Sequence, residues 1–269
     1  MMNEWITELA ESLGTSDGLA VAYVFVSFLV IVMAVVCLVL EIRVWFRYHR
    51  ANKMPIACTM TGLDAARFVL DKAGLQHVRV RKAGILREAV FGNYYNVFTK
   101  TIYLRSWLGK VDNKRTVTSV ALGVQKAALA KLCEEGDRQT LLRNRLSIIA
   151  IFGPLLFLPV LILGVVLDFV LLQQLGMYSL IGLALGGLLA VAGFIVTLLN
   201  IPVEKKANRL ALQLMEEYGL ATGKELKTMQ KVYGAYIASY VAQFILQMLR
   251  LIQWVLELVI KLGGKNNKD

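Results

Sequence analysis

Few side chains in this sequence could bind a metal ion or serve as a strong nucleophile. The chain holds two histidines, His49 and His77, and three cysteines, Cys37, Cys58 and Cys133. A zinc site uses roughly four ligands, usually His, Cys, Asp or Glu at short spacings, and these residues form no such pattern. An odd, unpatterned set of cysteines also indicates free thiols rather than disulfides. The residues themselves therefore predict no metal and no other cofactor.

Ionisable residues beside apolar stretches are a second source of chemistry, because they can mark a transport pathway. Asp168 follows a long apolar run, and the last apolar stretch carries polar residues at helical spacing. These are Gln243, Gln247, Arg250, Gln253 and Glu257. A simpler interpretation places Asp168 at a membrane interface, and the polar stripe against other helices or along the membrane surface. A transport-associated role is therefore one alternative.

The composition is that of a membrane protein. Hydrophobic residues make up 57% of the chain, and the mean hydropathy of +0.58 is too high for an ordinary soluble protein. Runs of about 20 apolar residues match the hydrocarbon thickness of a bilayer. Three such runs cover 19–40, 146–167 and 180–201, and a less regular fourth covers 233–262. We expect three to four transmembrane helices.

The net charge of +11 indicates membrane topology rather than nucleic-acid binding. Basic residues cluster beside the ends of the apolar runs, as the positive-inside rule describes. They include Arg43, Arg47, Arg50, Arg138, Arg143 and Arg145. Acidic residues instead precede the first run. We therefore expect the N-terminus outside and segment 47–145 in the cytoplasm, with the basic rim also contacting anionic lipid headgroups.

The predicted organisation alternates membrane and aqueous segments. An N-terminal interfacial helix, 1–17, leads into the first transmembrane helix, 18–46, and a cytoplasmic domain, 47–145. The second and third transmembrane helices cover 146–172 and 180–201, and cytoplasmic helices, 202–232, complete the soluble domain. A fourth transmembrane or interfacial helix, 233–262, precedes a basic tail, 263–269.

The segment before the second apolar run predicts a small α+β domain. Thr61 and Asp64 have capping-box spacing at the start of a helix that Gly74 ends. Two β-branched stretches, 78–80 and 102–104, indicate short strands, and a further helix should follow from Val117 to Cys133. Beyond the third apolar run, Pro202 near the first turn and Glu204 just after it predict another helix, ending at Gly219.

This order of elements resembles the YugP-like zinc metallopeptidases of bacterial membranes, which are related to the HtpX-type proteases. The resemblance covers most of the chain and is carried by a few segments. They are Thr61–Arg67, Tyr95–Leu104, Ser119–Ala121, Pro202–Glu204 and Arg209–Leu212. It implies an α-helical membrane protein of the bacterial cytoplasmic membrane with a small cytoplasmic α+β, zincin-like domain. It also implies a catalytic helix and a third metal ligand separated by two transmembrane helices.

The sequence departs from that family where the chemistry should be. In an H-E-x-x-H helix two imidazoles bind one Zn²⁺, and the glutamate acts as general base on the bound water. The resemblance places Gly123, Val124 and Ala127 at those positions, and none of them can bind zinc or take a proton. Glu204 corresponds to the third ligand, and one carboxylate alone does not hold zinc. A His-Tyr-Asp-Pro stretch of the family reads Tyr94–Val97 here.

Two interpretations of the remaining charged residues stay open. Glu204 could be a favourable charge at a helix N-terminus, and Lys126 could belong to a solvated helix face. Alternatively, Lys126 fills the vacated pocket and pairs with Glu204, because a buried carboxylate needs a partner. In the third apolar run, small residues at Gly182, Gly186 and Gly193 favour close packing of helices.

We interpret the chain as a catalytically inactive membrane pseudopeptidase without a cofactor. Its expected role is a binding or scaffolding subunit, with other membrane proteins, including an active paralogue, and the lipid bilayer as partners. A peptide could also pair with an edge strand expected around Thr101–Arg105. The groove candidates are Tyr94, Tyr95, Asn96, Thr101 and Tyr103. The enzymatic alternative is an active zinc metallopeptidase with a relocated metal site.

Overall fold

A computed structural model describes residues 7–8, 16–107, 110–172 and 176–263. The described part is mostly helical with one small sheet, and it divides into two compact units. One unit comprises Met1–Phe46 and Ala235–Asp269, and the other comprises Arg47–Gly234. Thr7 and Glu8 are helical. The rest of the predicted interfacial helix up to residue 15 and the tail from 264 lie outside the described residues.

The elements follow one another closely along the chain. Helix α1 covers Asp17–Asn52, α2 covers Gly62–Lys72, and strand β1 covers Arg79–Lys82. A short helix α3, Ile85–Phe91, precedes strands β2, Tyr94–Asn96, and β3, Thr101–Leu104. Then come α4, Val117–Glu134, α5, Arg138–Arg145, and α6, Ser147–Leu167, which a π-helical turn extends over Asp168–Leu172. Helices α7, Met177–Glu217, and α8, Gly223–Gly263, complete the described chain.

Three helices within the described ranges are long and apolar enough to cross a membrane. They are α1, α7 and the Gly223–Glu257 part of α8. The apolar runs at 19–40, 180–201 and 233–262 therefore each lie in a helix of sufficient length. The run at 146–167 lies in α6, which is apolar along its length.

The third apolar run and the soluble helix after it form a single helix. The prediction of a new helix beginning at Pro202 is wrong, because Pro202 lies inside α7. Proline lacks an N–H group, so one helical hydrogen bond is absent there, yet the helix continues on both sides. Glu204 consequently does not lie at a helix N-terminus, and the helix-end interpretation of its charge does not hold.

Small residues bring α6 and α7 into close contact. Gly182 is buried, and a methyl group on it would lie 2.9 Å from the carbonyl oxygen of Val160. In the same way, a methyl group added to Gly153 would lie 2.6 Å from the carbonyl oxygen of Leu189. Gly186 and Gly193 are buried as well. Such contacts are typical of helices that pack within a membrane.

Within the first unit, the polar stripe of α8 contacts α1. Gln243 donates to Glu41 at 2.7 Å, and Ser239 donates to the same carboxylate. Further along, the Gln253 amide donates to the Ser27 hydroxyl at 2.9 Å. The stripe therefore pairs with polar groups of α1 in this unit, which stabilises two largely apolar helices against each other.

The sheet of the second unit has the order β1-β3-β2. Strand β3 pairs with β1 in parallel and with β2 in antiparallel orientation. The expectation of an edge strand around Thr101–Arg105 is therefore wrong, because β3 is central and its backbone groups are paired on both sides. The three residues of β2 were not foreseen as a strand, nor were the seven of α3 as a helix.

Helix α2 packs tightly on α4. The predicted capping box is present, with the Thr61 hydroxyl accepting from the Asp64 N–H and the Asp64 carboxylate accepting from the Thr61 N–H. At the contact, Gly62 and Gly123 face each other, and a methyl group on Gly123 would overlap the carbonyl oxygen of Gly62. The side of α4 that carries Gly123 is therefore closed by the backbone of α2.

We predict that Gly123→Ala lowers the stability of the fold by roughly 1–3 kcal/mol, because the added methyl group forces α2 away from α4. Thermal or chemical unfolding of the detergent-solubilised protein measures the change. Gly234→Ala is the matched control, since a methyl group there meets no atom within 4 Å. Equal stabilities of the two variants would contradict this account of the contact.

Candidate functional site

Glu204 lies at the centre of a buried polar cluster. The residue is 5% exposed, and side chains from α4 and α5 surround its carboxylate. The Gln125 amide donates to Oε2 at 2.5 Å, and the Arg143 guanidinium donates to Oε1 at 2.9 Å. Lys126 Nζ lies 3.7 Å from the same Oε1. A buried carboxylate without such partners would be strongly destabilising.

Asparagines extend this cluster on both sides. The Gln125 amide also donates to Asn208 at 2.8 Å. Arg143 donates from Nε to Asn200 at 2.5 Å and from Nη1 to Asn144 at 2.7 Å. Asn200, Glu204 and Asn208 follow at intervals of one helical turn, so they share one face of α7. Several hydrogen bonds therefore fix the Glu204 carboxylate in one orientation.

Sequence reasoning missed Arg143, Gln125 and the asparagines of this cluster. It treated Arg143 only as a topological charge. The spacing of Asn200, Glu204 and Asn208 was a usable signal, because polar residues one turn apart on a helix that follows an apolar run indicate a shared polar partner. The partner itself lies more than fifty positions away, which no local pattern reveals.

The electrostatics of the cluster favour a fixed positive group beside Glu204. Burial lowers the pKa of Lys126, and the neighbouring Arg143 lowers it further, whereas the Glu204 carboxylate raises it. Arg143 keeps its charge in proteins. Two basic groups therefore face one carboxylate, and the position next to Glu204 already carries the positive charge that a bound cation would supply.

The side of α4 beside Glu204 carries Gln125 and Lys126. Successive residues of an α-helix turn by about 100°, so Gln125 points away from Gly123, which faces Gly62, whereas Lys126 lies about one turn after Gly123. The resemblance assigns the motif positions to Gly123, Val124 and Ala127. All three are buried in α4, and this assignment stays a prediction.

These side chains do not fit a zinc site. Lysine, arginine and glutamine are not among the usual zinc ligands, and the Glu204 carboxylate is already engaged by Lys126, Arg143 and Gln125. Zinc is bound by His, Cys, Asp or Glu. Among the described residues, no group of three such side chains that could hold a metal ion occurs. The donor set around Glu204 therefore suits an internal ion pair rather than a metal.

A second feature of this unit is a cleft of about 230 Å³ beside β2. Tyr94, Tyr95, Asn96 and Tyr103 line it, and the rings of Tyr94 and Tyr103 stack with centroids 5.0 Å apart. Thr101, the fifth groove candidate, is buried and donates its hydroxyl to the Thr99 carbonyl oxygen. The cleft runs along an edge strand, so its backbone groups are available on one side.

Glu134, at the end of α4, forms an ion-pair network with the strands. It accepts hydrogen bonds from Tyr95 at 2.9 Å and Lys100 at 2.8 Å, and His77 lies 2.9 Å away. Burial by itself raises the pKa of Glu134, but these hydrogen bonds lower it to about 2. His77 therefore lies in this surface network and not beside Glu204.

Asp168 has a structural explanation. Its carboxylate accepts the backbone N–H groups of Gly176, Tyr178 and Ser179 at 2.8 to 2.9 Å. These groups form the N-terminal end of α7, where a carboxylate is favourable. The three cysteines are free, as expected.

Comparison with known proteins identifies the family. A family model described as "putative neutral zinc metallopeptidase" matches residues 26–259. The chain belongs to this family. It is also 24% identical over 230 residues to "Putative membrane protease YugP" of Bacillus subtilis (strain 168), covering 84% of this chain and 92% of that protein. No solved structure matches the chain.

The relative in this family and the long apolar helices both indicate a membrane protein. The relative is described as a membrane protease, and three helices of this chain are long and apolar enough to cross a membrane. The chain is therefore a membrane protein of this metallopeptidase family in which Lys126, Arg143 and Gln125 engage the Glu204 carboxylate.

The Glu134 network predicts a pH dependence of stability. The folded pKa of about 2 lies below the usual 4.5, so the stabilisation is complete above pH 4.5 and is lost as the pH falls toward 2. We predict that Glu134→Gln flattens the change in unfolding free energy within this window. Glu135→Gln, a more exposed neighbour, is the control. An unchanged profile for Glu134→Gln would refute the role of the network.

Proposed function

We propose that this chain is a catalytically inactive member of the family that serves as a binding or scaffolding subunit of a membrane protein assembly. In this proposal it resides in the bacterial cytoplasmic membrane, with its N-terminus outside and the domain around Glu204 in the cytoplasm. Its partners are other membrane proteins, including an active paralogue. No nucleic acid and no cofactor take part.

The observation that carries the proposal is the internal neutralisation of Glu204. A zinc peptidase of the H-E-x-x-H type needs two imidazoles and a glutamate beside the third ligand. The resemblance places Gly123, Val124 and Ala127 at those positions, and none of them can bind zinc or take a proton. The guanidinium of Arg143 supplies positive charge to the carboxylate, and Lys126 lies beside it. The cluster is therefore stable without a metal ion.

The same residues argue against hydrolysis by this site. A general base must accept a proton from water within hydrogen-bond reach. The resemblance places Val124 where that glutamate would lie, and Arg143 and Glu204 pair with each other. These contacts support a structural ion pair rather than a catalytic base.

Two surfaces support a binding role. The cleft beside β2 has an open strand edge and stacked tyrosines, which suit an extended peptide that pairs with the edge. Buried glycines on α7 show that this helix already packs closely against α6, and exposed apolar residues on its other sides, such as Leu188 and Val191, leave area for a further transmembrane partner. Family membership alone does not determine the activity of a given chain.

The first experiment measures zinc and peptidase activity together. Purified full-length protein should contain no stoichiometric zinc and should not cleave an unfolded protein such as casein. Stoichiometric zinc in the natural chain that disappears in Glu204→Ala, together with cleavage, would mean an active enzyme with a different metal site.

A second arm tests the scaffolding role. Cross-linking in cells, followed by purification, should recover a defined membrane partner with the natural chain. Tyr94→Ala should reduce the yield if the partner occupies the cleft, whereas Leu188→Gln should reduce it if the partner packs on α7. If the natural chain, Tyr94→Ala and Leu188→Gln were all recovered without a stoichiometric partner, the scaffolding role would be contradicted. The result of the zinc measurement would stand independently.

A further inference from the structure

Helix α3 is amphipathic, and its apolar side faces outward. Ile85, Leu86 and Val90 are 58%, 83% and 49% exposed, and at about 100° per residue they occupy one side of the helix. Glu88, on the other side, is completely buried. A helix on the surface of a water-soluble domain shows the opposite arrangement. The outward side of α3 therefore needs an apolar environment.

An exposed tryptophan lies beside this helix. The buried Glu88 carboxylate accepts the backbone N–H groups of Ser106 and Trp107 at 3.0 and 2.8 Å. These bonds hold the loop after β3 against α3, while the Trp107 side chain remains 60% exposed. Tryptophan is enriched where protein meets the headgroup region of a bilayer. Glu88 thus holds the backbone of Trp107 against α3.

Helix α3 contacts α6 at its C-terminal end. The Phe91 ring at the end of α3 packs edge-on against Phe152, with centroids 6.5 Å apart. Phe152 lies in the second turn of α6, and the adjacent Gly153 faces the Leu189 carbonyl oxygen in the apolar run of α7. Helix α3 therefore ends beside α6, next to the place where α6 contacts the apolar run of α7.

Basic residues flank the apolar side. Arg81 and Lys82 end β1, two residues before α3, and both are exposed, with Lys82 paired to Asp112. At the other end the Arg105 guanidinium lies next to Gly92, the residue after the helix. Positive side chains around an apolar helix face suit a bilayer surface with anionic lipids.

From these contacts we propose that α3 and Trp107 form a membrane-surface anchor, with Ile85, Leu86, Val90 and Trp107 inserted at the headgroup and acyl-chain boundary. Arg81 and Arg105 contact anionic headgroups. The anchor fixes the β-sheet and its cleft against the bilayer beside α6. It depends on α6 and α7 crossing the membrane, and it is independent of whether the Glu204 cluster has activity.

Site-directed spin labelling tests the anchor in the full chain. Nitroxide labels are placed by Leu86→Cys or by Gln76→Cys, with Cys37, Cys58 and Cys133 replaced by alanine. Each protein is reconstituted in vesicles of phosphatidylethanolamine and phosphatidylglycerol. The label at position 86 should be accessible to oxygen, poorly accessible to a water-soluble nickel chelate, and about 5–10 Å below the phosphate level. Gln76, an exposed polar position, should give the reverse accessibility.

Equal nickel accessibility at positions 86 and 76 would overturn the proposal. Protection of position 86 from both oxygen and nickel would also overturn it, because a second copy or another protein would then cover the face. A measurement with the native cysteines in place provides independent evidence. Brominated phosphatidylcholine added to the vesicles should quench tryptophan emission more in the natural chain than in Trp107→Phe, and equal quenching would contradict insertion of Trp107.

Discussion

Burial of the Glu204 carboxylate is the constraint that organises the second unit. A charge removed from water is tolerated only with close partners of opposite charge and satisfied hydrogen bonds. Here α4 provides Gln125 and Lys126, and α5 provides Arg143. Because these groups converge on one carboxylate of α7, the positions of three helices depend on each other. Removing one charge would leave the others buried and unbalanced.

Polar side chains link α4, α5 and α7 around this carboxylate. In metalloproteins, a zinc ion between two helices neutralises a carboxylate and links the helices through its ligands. Here Arg143 of α5 supplies positive charge to Glu204, and Gln125 of α4 donates to both Glu204 and Asn208 of α7. The link is made of hydrogen bonds and ion pairs.

Much of the local structure could be predicted because it depends on neighbouring residues. The capping box at Thr61 and the apolar lengths of α1 and α7 are examples. Long-range arrangements could not be predicted in the same way. Which side of α4 faces Glu204 depends on how α4 packs on Gly62 of α2. Strand β3 is central because β1 and β2 pair with its two edges. Helix α3 is too short for its period to stand out, and its one buried polar residue, Glu88, reverses the expected pattern.

The continuity of α7 through Pro202 has a mechanical consequence. At about 1.5 Å per residue, its 41 residues form a rod of roughly 60 Å that carries Gly182 near one end and Glu204 toward the other. The close contact with α6 and the buried Glu204 cluster therefore lie on one helix, and a displacement of α7 at either place has to be accommodated at the other.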